Sequence, residues 1–355
     1  MPKGRGVSLA ERVWYGDDAA ARLVRLGLLP AAALWSGITA ARNALYDAGV
    51  FRPDEAGLPA ISIGNLSVGG TGKTPFAAWM AGELQQRGCR PAIVLRGYGD
   101  DEPEVHRRLN PGMLVIVDAD RSRGVRAAAS RGADVAVLDD AFQHRKARRL
   151  VDVVLLSADR WTGRARALPA GPFREGLGAL RRAAQVVVTR KAAPPEAAAQ
   201  LALKLSGAFP GLPVAQVHLA PSGLVDAASG EVRAISTLAG RPVLAICGVG
   251  DPAAFSAQLR AAGADVALRA FPDHHPFADA DIEELAAEAR EFAGRGGVAM
   301  CTLKDAVKLS PRWPSGEPGL SFVSQQVIVE TGRASLDQLL ETVIHARKPA
   351  AAAAG

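Results

Sequence analysis

Cysteine is scarce. The chain has three in 355 residues, Cys89, Cys247 and Cys301, odd in number and far apart. No pair has zinc-ligand or redox spacing, which argues against both centres and for a reduced, cytosolic compartment. A secretory signal is missing as well. The first twenty residues are polar and charged, with no apolar h-region and no cleavage site. One apolar, helix-prone stretch covers residues 23–51, but Pro30 interrupts it. Its uncharged portion, Leu26 to Ala41, falls short of the roughly 20 residues a spanning helix needs. Arg22, Arg25 and Arg42 flank it. Two readings fit: a helix lying at an anionic membrane face, or a helix packed on its own domain.

Length favours two domains over one core. A hydrophobic content of 48% and a charged content of 22% suit a packed, soluble protein. The formal net charge of +6 and a pI near 9.5 favour polyanionic partners: nucleic acid, anionic lipid or phosphorylated substrates. Charge alone does not choose among them.

The first half alternates short apolar runs with helical patterns. "AISIG" (60–64), "PAIVLRGYG", "MLVIVDA", "DVAVLDDAF", "VDVVLLSA" and "QVVVTR" read as strands, and Lys73 to Arg87 as a helix. Near-continuous Val/Leu/Ile runs between helices predict a parallel sheet covered on both faces. Residues 208–232 read as a β-rich connector. A second α/β unit follows, with strands at "PVLAICGVG", "DVALRAF", "GVAMCTL" and "LSFVSQQVIVE" and helices at 253–263, 278–293 and about 335–346. The expected layout is an N-terminal unit 1–207, a linker 208–232, a C-terminal α/β unit 233–346 and a frayed tail 347–355.

Behind the first strand stands "SVGGTGKTP", residues 67–75. It matches a phosphate-binding loop except that Ser67 takes the place of the first glycine. The loop comprises Ser67, Val68, Gly69, Gly70, Thr71, Gly72, Lys73 and Thr74. Gly69, Gly70 and Gly72 are expected to supply positive φ angles that turn amides inward at a helix N-terminus. Lys73 reaches the β- and γ-phosphates, and Thr74 offers a hydroxyl to Mg²⁺. "DVAVLDDAFQHR" ends a strand in Asp139 and Asp140, carboxylates suited to a Mg²⁺–ATP site at that sheet edge. A switch GTPase is disfavoured: "TLKD" (302–305) has its lysine one place late, and Asp139 is followed three later by Phe142, not glycine. A kinase and an ATPase working on a partner remain.

Taken in order, "GNLSVGGTGKTP", "RGYG", "DEP", "DDAFQHR", "LPAGPFREG", "FPDHHPF" and "LKDAVKL" resemble the tetraacyldisaccharide 4′-kinases, the lipid A 4′-kinases of Gram-negative bacteria. The resemblance runs to about residue 346. It implies a P-loop NTPase-type parallel sheet sandwiched by helices, plus a smaller C-terminal α/β domain joined by a β-strand linker. It implies ATP-dependent phosphorylation of the 4′-hydroxyl of a tetraacylated disaccharide 1-phosphate, giving lipid IVA. The implied location is the cytoplasmic face of the inner membrane, docked through the apolar helix. No nucleic acid and no protein partner are implied.

Asp101 then matches the base for the sugar hydroxyl, with His274 assisting, and Arg174 is a phosphate or transition-state cation. Asp100 competes with Asp101. Glu102, Arg121, Gln143, His144 and Glu175 are further substrate or phosphate contacts, Arg123 lying so close to Arg121 that the match is ambiguous. Metal ligands are expected among Thr74, Asp139 and Asp140. Ala141 and Phe142 stand where the family has Gly-Leu, so the turn after Asp140 is expected to differ. Lys304 and Asp305 are expected at a strand end.

Overall fold

The computed structural model describes residues 9–55, 57–97 and 101–347. Three helices come first: α1 (Leu9–Tyr15), α2 (Ala19–Gly27) and α3 (Leu29–Asp47). Asp18 starts α2 by accepting from the Ala21 N–H. Pro30 falls in the first turn of α3, where its missing N–H costs no bond. The proline thus separates two helices bent by 48°. No single helix among the described residues is long and apolar enough to cross a membrane.

The first half continues as β1 (Ala60–Asn65), α4 (Lys73–Gln86), β2 (Pro91–Leu95), α5 (Asp101–Leu109), β3 (Leu114–Val117), α6 (Arg121–Ser130), β4 (Val135–Asp139), β5 (Val151–Ser157), β6 (Gln185–Arg190) and α7 (Pro195–Ala208). Next come β7 (Val214–Asp226), β8 (Val232–Arg233), β9 (Pro242–Cys247), α8 (Pro252–Ala261), β10 (Asp265–Ala270), α9 (Asp279–Gly294), β11 (Val298–Thr302), α10 (Leu303–Leu309), β12 (Leu320–Thr331) and α11 (Arg333–His345). The strands form one sheet, ordered β10-β9-β11-β12-β7-β6-β5-β1-β4-β2-β3, with β8 on β7. Pairing is parallel except at β7–β12 and β7–β8.

Strand residues alternate between two buried faces, which explains the near-continuous apolar runs. Ile61, Ile63, Val135, Val137, Val153 and Leu155 pack with Phe76, Met80 and Leu84 of α4. Ala136 and Leu138 face Val125 and Ala128 of α6 instead. The connector is mainly one long strand, β7, and β12 returns antiparallel beside it. Pro221 is tolerated there at a register shift opposite Gln325. Beyond β12, Leu336, Leu339 and Leu340 of α11 join the same core as α4.

Two local expectations need correction. The "PAIVLRGYG" strand ends at Leu95. Thr302 closes β11 and its side chain accepts from the Asp305 N–H, so Leu303, Lys304 and Asp305 form the first turn of α10, not a strand end.

Candidate active site

Ser67 sits in extended backbone bridged to Phe173, a conformation that needs no glycine. The Val68 N–H donates to Pro172 O at 2.8 Å, and the Arg174 N–H to Leu66 O at 2.7 Å. The "GPFRE" segment therefore braces the loop from outside. Asn65 Nδ2 donates to Ser67 O and, at 2.9 Å, to Thr71 Oγ1. Gly69 (φ 98°) and Gly72 (φ 82°) use the left-handed region. Gly70 does not, contrary to expectation. A Cβ there would stand 3.3 Å from Lys191 Nζ and 3.4 Å from Asp251 Cβ. Gly72 caps α4, and the first residues of the helix, Lys73 and Thr74, line the cavity above it.

One cavity of about 1100 Å³ lies over this loop. Among the described candidate residues, Ser67, Asp101, Arg123 and Asp305 do not line it; the other loop, catalytic, metal and substrate candidates do. At the end of β4, Asp140 takes a left-handed φ of 50°, a conformation uncommon for a residue other than glycine. Its carboxylate receives Arg174 Nη1 at 3.0 and 3.1 Å and lies 3.7 Å from Lys73 Nζ. Burial would raise its pKa, but these cations hold it below the usual range. Asp139 is buried and accepts at Oδ2 from His106 Nε2 at 2.9 Å, while its Oδ1 is buried with no partner.

Arg121 is buried, and its Nη2 donates to Asp139 O at 3.3 Å. Burial lowers its pKa against the pull of Asp139 and Asp140. Arg123 is exposed and doubly bonded to Asp118, which separates the two arginines geometrically. Gln143 Nε2 donates to Asn65 O at 2.8 Å. His144 Nε2 is buried without a partner, and burial, then Arg121, lowers the ring's pKa. Glu175 is tied down by Asn43 Nδ2 (2.7 Å) and Arg182 Nη2 (3.0 Å), with Oε1 unpartnered.

Across the cavity, Asp101 opens α5 and is 3% exposed. His274 Nδ1 lies 3.3 Å from Asp101 Oδ1. His274 is the member of the pair that faces the cavity. Its other nitrogen, Nε2, is 3.4 Å from Lys304 Nζ, which is 3.7 Å from Glu102. Lys308 Nζ lies 3.7 Å from Asp101 Oδ2. Burial pushes the Asp101 carboxyl up, but the His274 hydrogen bond and the two lysines bring it down to about 2. The same bond raises the His274 pKa against burial. Glu102 is raised, chiefly by burial. Asp100 lies outside the described residues.

With this geometry in place, comparison with known proteins is decisive. Residues 24–345 match the sequence profile described as tetraacyldisaccharide-1-P 4′-kinase. The chain belongs to this family. A tetraacyldisaccharide 4′-kinase of Anaeromyxobacter sp. (strain Fw109-5) is 38% identical, over 95% of this chain and 97% of the relative. Another, from Anaeromyxobacter dehalogenans (strain 2CP-C), is 42% identical over 85% and 86%. The crystal structure of LpxK from Aquifex aeolicus in complex with ATP superposes with a TM-score of 0.70 at 29% identity. It covers 91% of this chain and 98% of its own.

In this family member, three side chains at the site had no signal in the motifs. Lys191 Nζ donates to Gly70 O at 2.9 Å from the loop after β6. Asp251 caps α8 and reaches the phosphate loop from the second half. His106 approaches Asp139 from α5. Strand-end loops and the inner face of a polar helix give no one-dimensional pattern that marks them. At the cavity mouth, Trp35 Nε1 donates to Arg174 O at 2.9 Å, and Ile38 and Arg42 join the lining. Leu23, Leu26 and Leu34 stay 69%, 61% and 67% exposed.

Proposed function

We propose that this chain transfers the γ-phosphoryl group of ATP to the 4′-hydroxyl of a tetraacyldisaccharide 1-phosphate in lipid A synthesis. The observation that carries this reading is a single cavity with the phosphate loop from Val68 to Thr74 on one wall and His274, backed by Asp101, on the other. A hydrolytic ATPase needs no such second wall.

The transfer is in-line. The bond from the 4′-oxygen to the γ-phosphorus forms as the β,γ-bridging P–O bond breaks, and ADP leaves. Lys73 and the loop amides neutralise the transferring group. Arg174 keeps Asp140 ionised and adds a second cation beside Lys73. The hydroxyl proton goes to the Asp101–His274 pair, with Asp101 orienting the ring that meets the cavity.

Metal binding is part of the reading. No group of three or more His, Cys, Asp or Glu gathers as a cage among the described residues. That suits Mg²⁺, which takes one or two protein oxygens and completes its shell with water and phosphate. The unpartnered Asp139 Oδ1 fits such a ligand, and Thr74 lines the same cavity. These two would hold Mg²⁺, which when bound neutralises charge on the phosphates. Asp140, committed to Lys73 and Arg174, is the less available carboxylate.

Docking at the cytoplasmic face of the inner membrane completes the proposal. Its support is the exposed apolar face of α2 and α3, continuous with a lining that includes Trp35 and Ile38. The discriminating experiment follows ADP release with and without the lipid acceptor. Acceptor-dependent release supports the kinase. Equal release without acceptor favours an ATPase doing work on a partner.

A further inference from the structure

Helix α5 carries a second functional group besides Asp101. His106, further along the helix, has no exposed surface, and its Nε2 lies 2.9 Å from Asp139 Oδ2. Its Nδ1 is buried with no partner. An ionised carboxylate only accepts, so the ring N–H sits on Nε2 and donates to Oδ2. One carboxylate oxygen is thereby fixed. The other, Oδ1, is buried, unpartnered and part of a residue that lines the cavity. Burying a ring with one nitrogen unpaired is unfavourable, and an apolar side chain would fill the space without that cost. The contact that offsets it is the bond to Asp139.

We infer that His106 is a positioning residue that holds the Asp139 carboxylate so that Oδ1 is presented to the metal accompanying ATP. The inference rests on the metal reading given above. Asp101 begins the same helix. A rigid α5 therefore sets the separation between the metal carboxylate and the proton-accepting pair. Partners that orient a ligating carboxylate matter about 10- to 100-fold in metal affinity.

Mn²⁺ titration of the ADP-bound protein, followed by electron paramagnetic resonance, tests this without turnover. The proteins compared are wild type, His106→Leu, His106→Gln and Asp139→Ala. His106→Leu is expected to weaken Mn²⁺ binding about 10-fold. His106→Gln, whose amide N–H reaches the same oxygen, is expected to keep most of it. ADP alone should bind equally to all four. Wild-type Mn²⁺ affinity in folded His106→Leu, with binding weakened in Asp139→Ala, overturns this inference alone. Unchanged affinity in Asp139→Ala overturns the metal reading as well. Should the leucine protein not fold, His106→Asn, whose amide stops short of Asp139, replaces it. Equal Mn²⁺ binding by the asparagine and glutamine proteins then overturns the inference.

Discussion

His274 Nδ1 and Asp101 Oδ1 lie 3.3 Å apart although 173 positions separate them in sequence. The pair joins the two halves of the molecule at the cavity wall, and the bond raises the pKa of His274 while lowering that of Asp101. Asp101, held at about 2, stabilises the fold above its unfolded value near 3.8 and loses that contribution as pH falls toward 2. His274, raised above 6.5, contributes fully below 6.5 and loses its share as pH rises through its folded value. The destabilisation caused by Asp101→Asn should therefore be largest between about pH 4 and 6.5. Thermal melts across pH check this; a difference that is flat from pH 4 to 9 contradicts it. Folded Asp101→Asn should also lose about 10²-fold or more in kcat.

Arg174 donates one guanidinium nitrogen to both oxygens of Asp140, and Lys73 Nζ lies 3.7 Å from Oδ1. Arg174→Ala should lower kcat about 10²-fold, because Asp140 then loses its nearest cation and a transition-state cation is lost. Arg174→Lys should recover only part, since an ammonium lacks the planar fork. Full recovery by lysine in steady-state assays would show that charge alone matters.

Gly72 combines φ 82° with no room for a side chain, since a Cβ there would fall 2.1 Å from Leu219 Cδ1. Gly72→Ala should cost about 1–3 kcal/mol of stability and disturb the start of α4. Adding Leu219→Ala should not rescue nucleotide binding, because the backbone strain persists. Calorimetric ATP titration separates the two effects: wild-type affinity in the double variant contradicts the strain argument.

Leu23, Leu26 and Leu34 are mostly exposed, so changing them leaves the fold intact. The triple change to serine should reduce co-sedimentation with anionic-lipid vesicles about 10-fold or more and leave the melting temperature unchanged. Undiminished vesicle binding would remove these helices from the docking surface.

Strand–loop–helix order and the Asp139–Asp140 strand end were legible because apolar runs and a GKT loop encode them locally. So was the meeting of motifs from opposite ends of the chain, though only through resemblance. What escaped depends on three dimensions. Helix α5 reads "DEPEVHRRL", polar almost throughout, because its buried face carries Asp101 and His106 beside only Pro103 and Val105. Thr302 turns an apparent strand end into the α10 cap through one side-chain bond. Gly70 looks like its neighbours in sequence, yet it keeps out of the left-handed region and is approached by Lys191 and Asp251 from distant segments.

Transfer to a lipid hydroxyl is the central claim. The most direct test incubates γ-phosphate-labelled ATP and Mg²⁺ with a tetraacyldisaccharide 1-phosphate in detergent, using wild-type and Lys73→Ala proteins. The account predicts labelled lipid from wild type and almost none from the variant. Unlabelled lipid from folded wild-type protein that binds and hydrolyses ATP would contradict it.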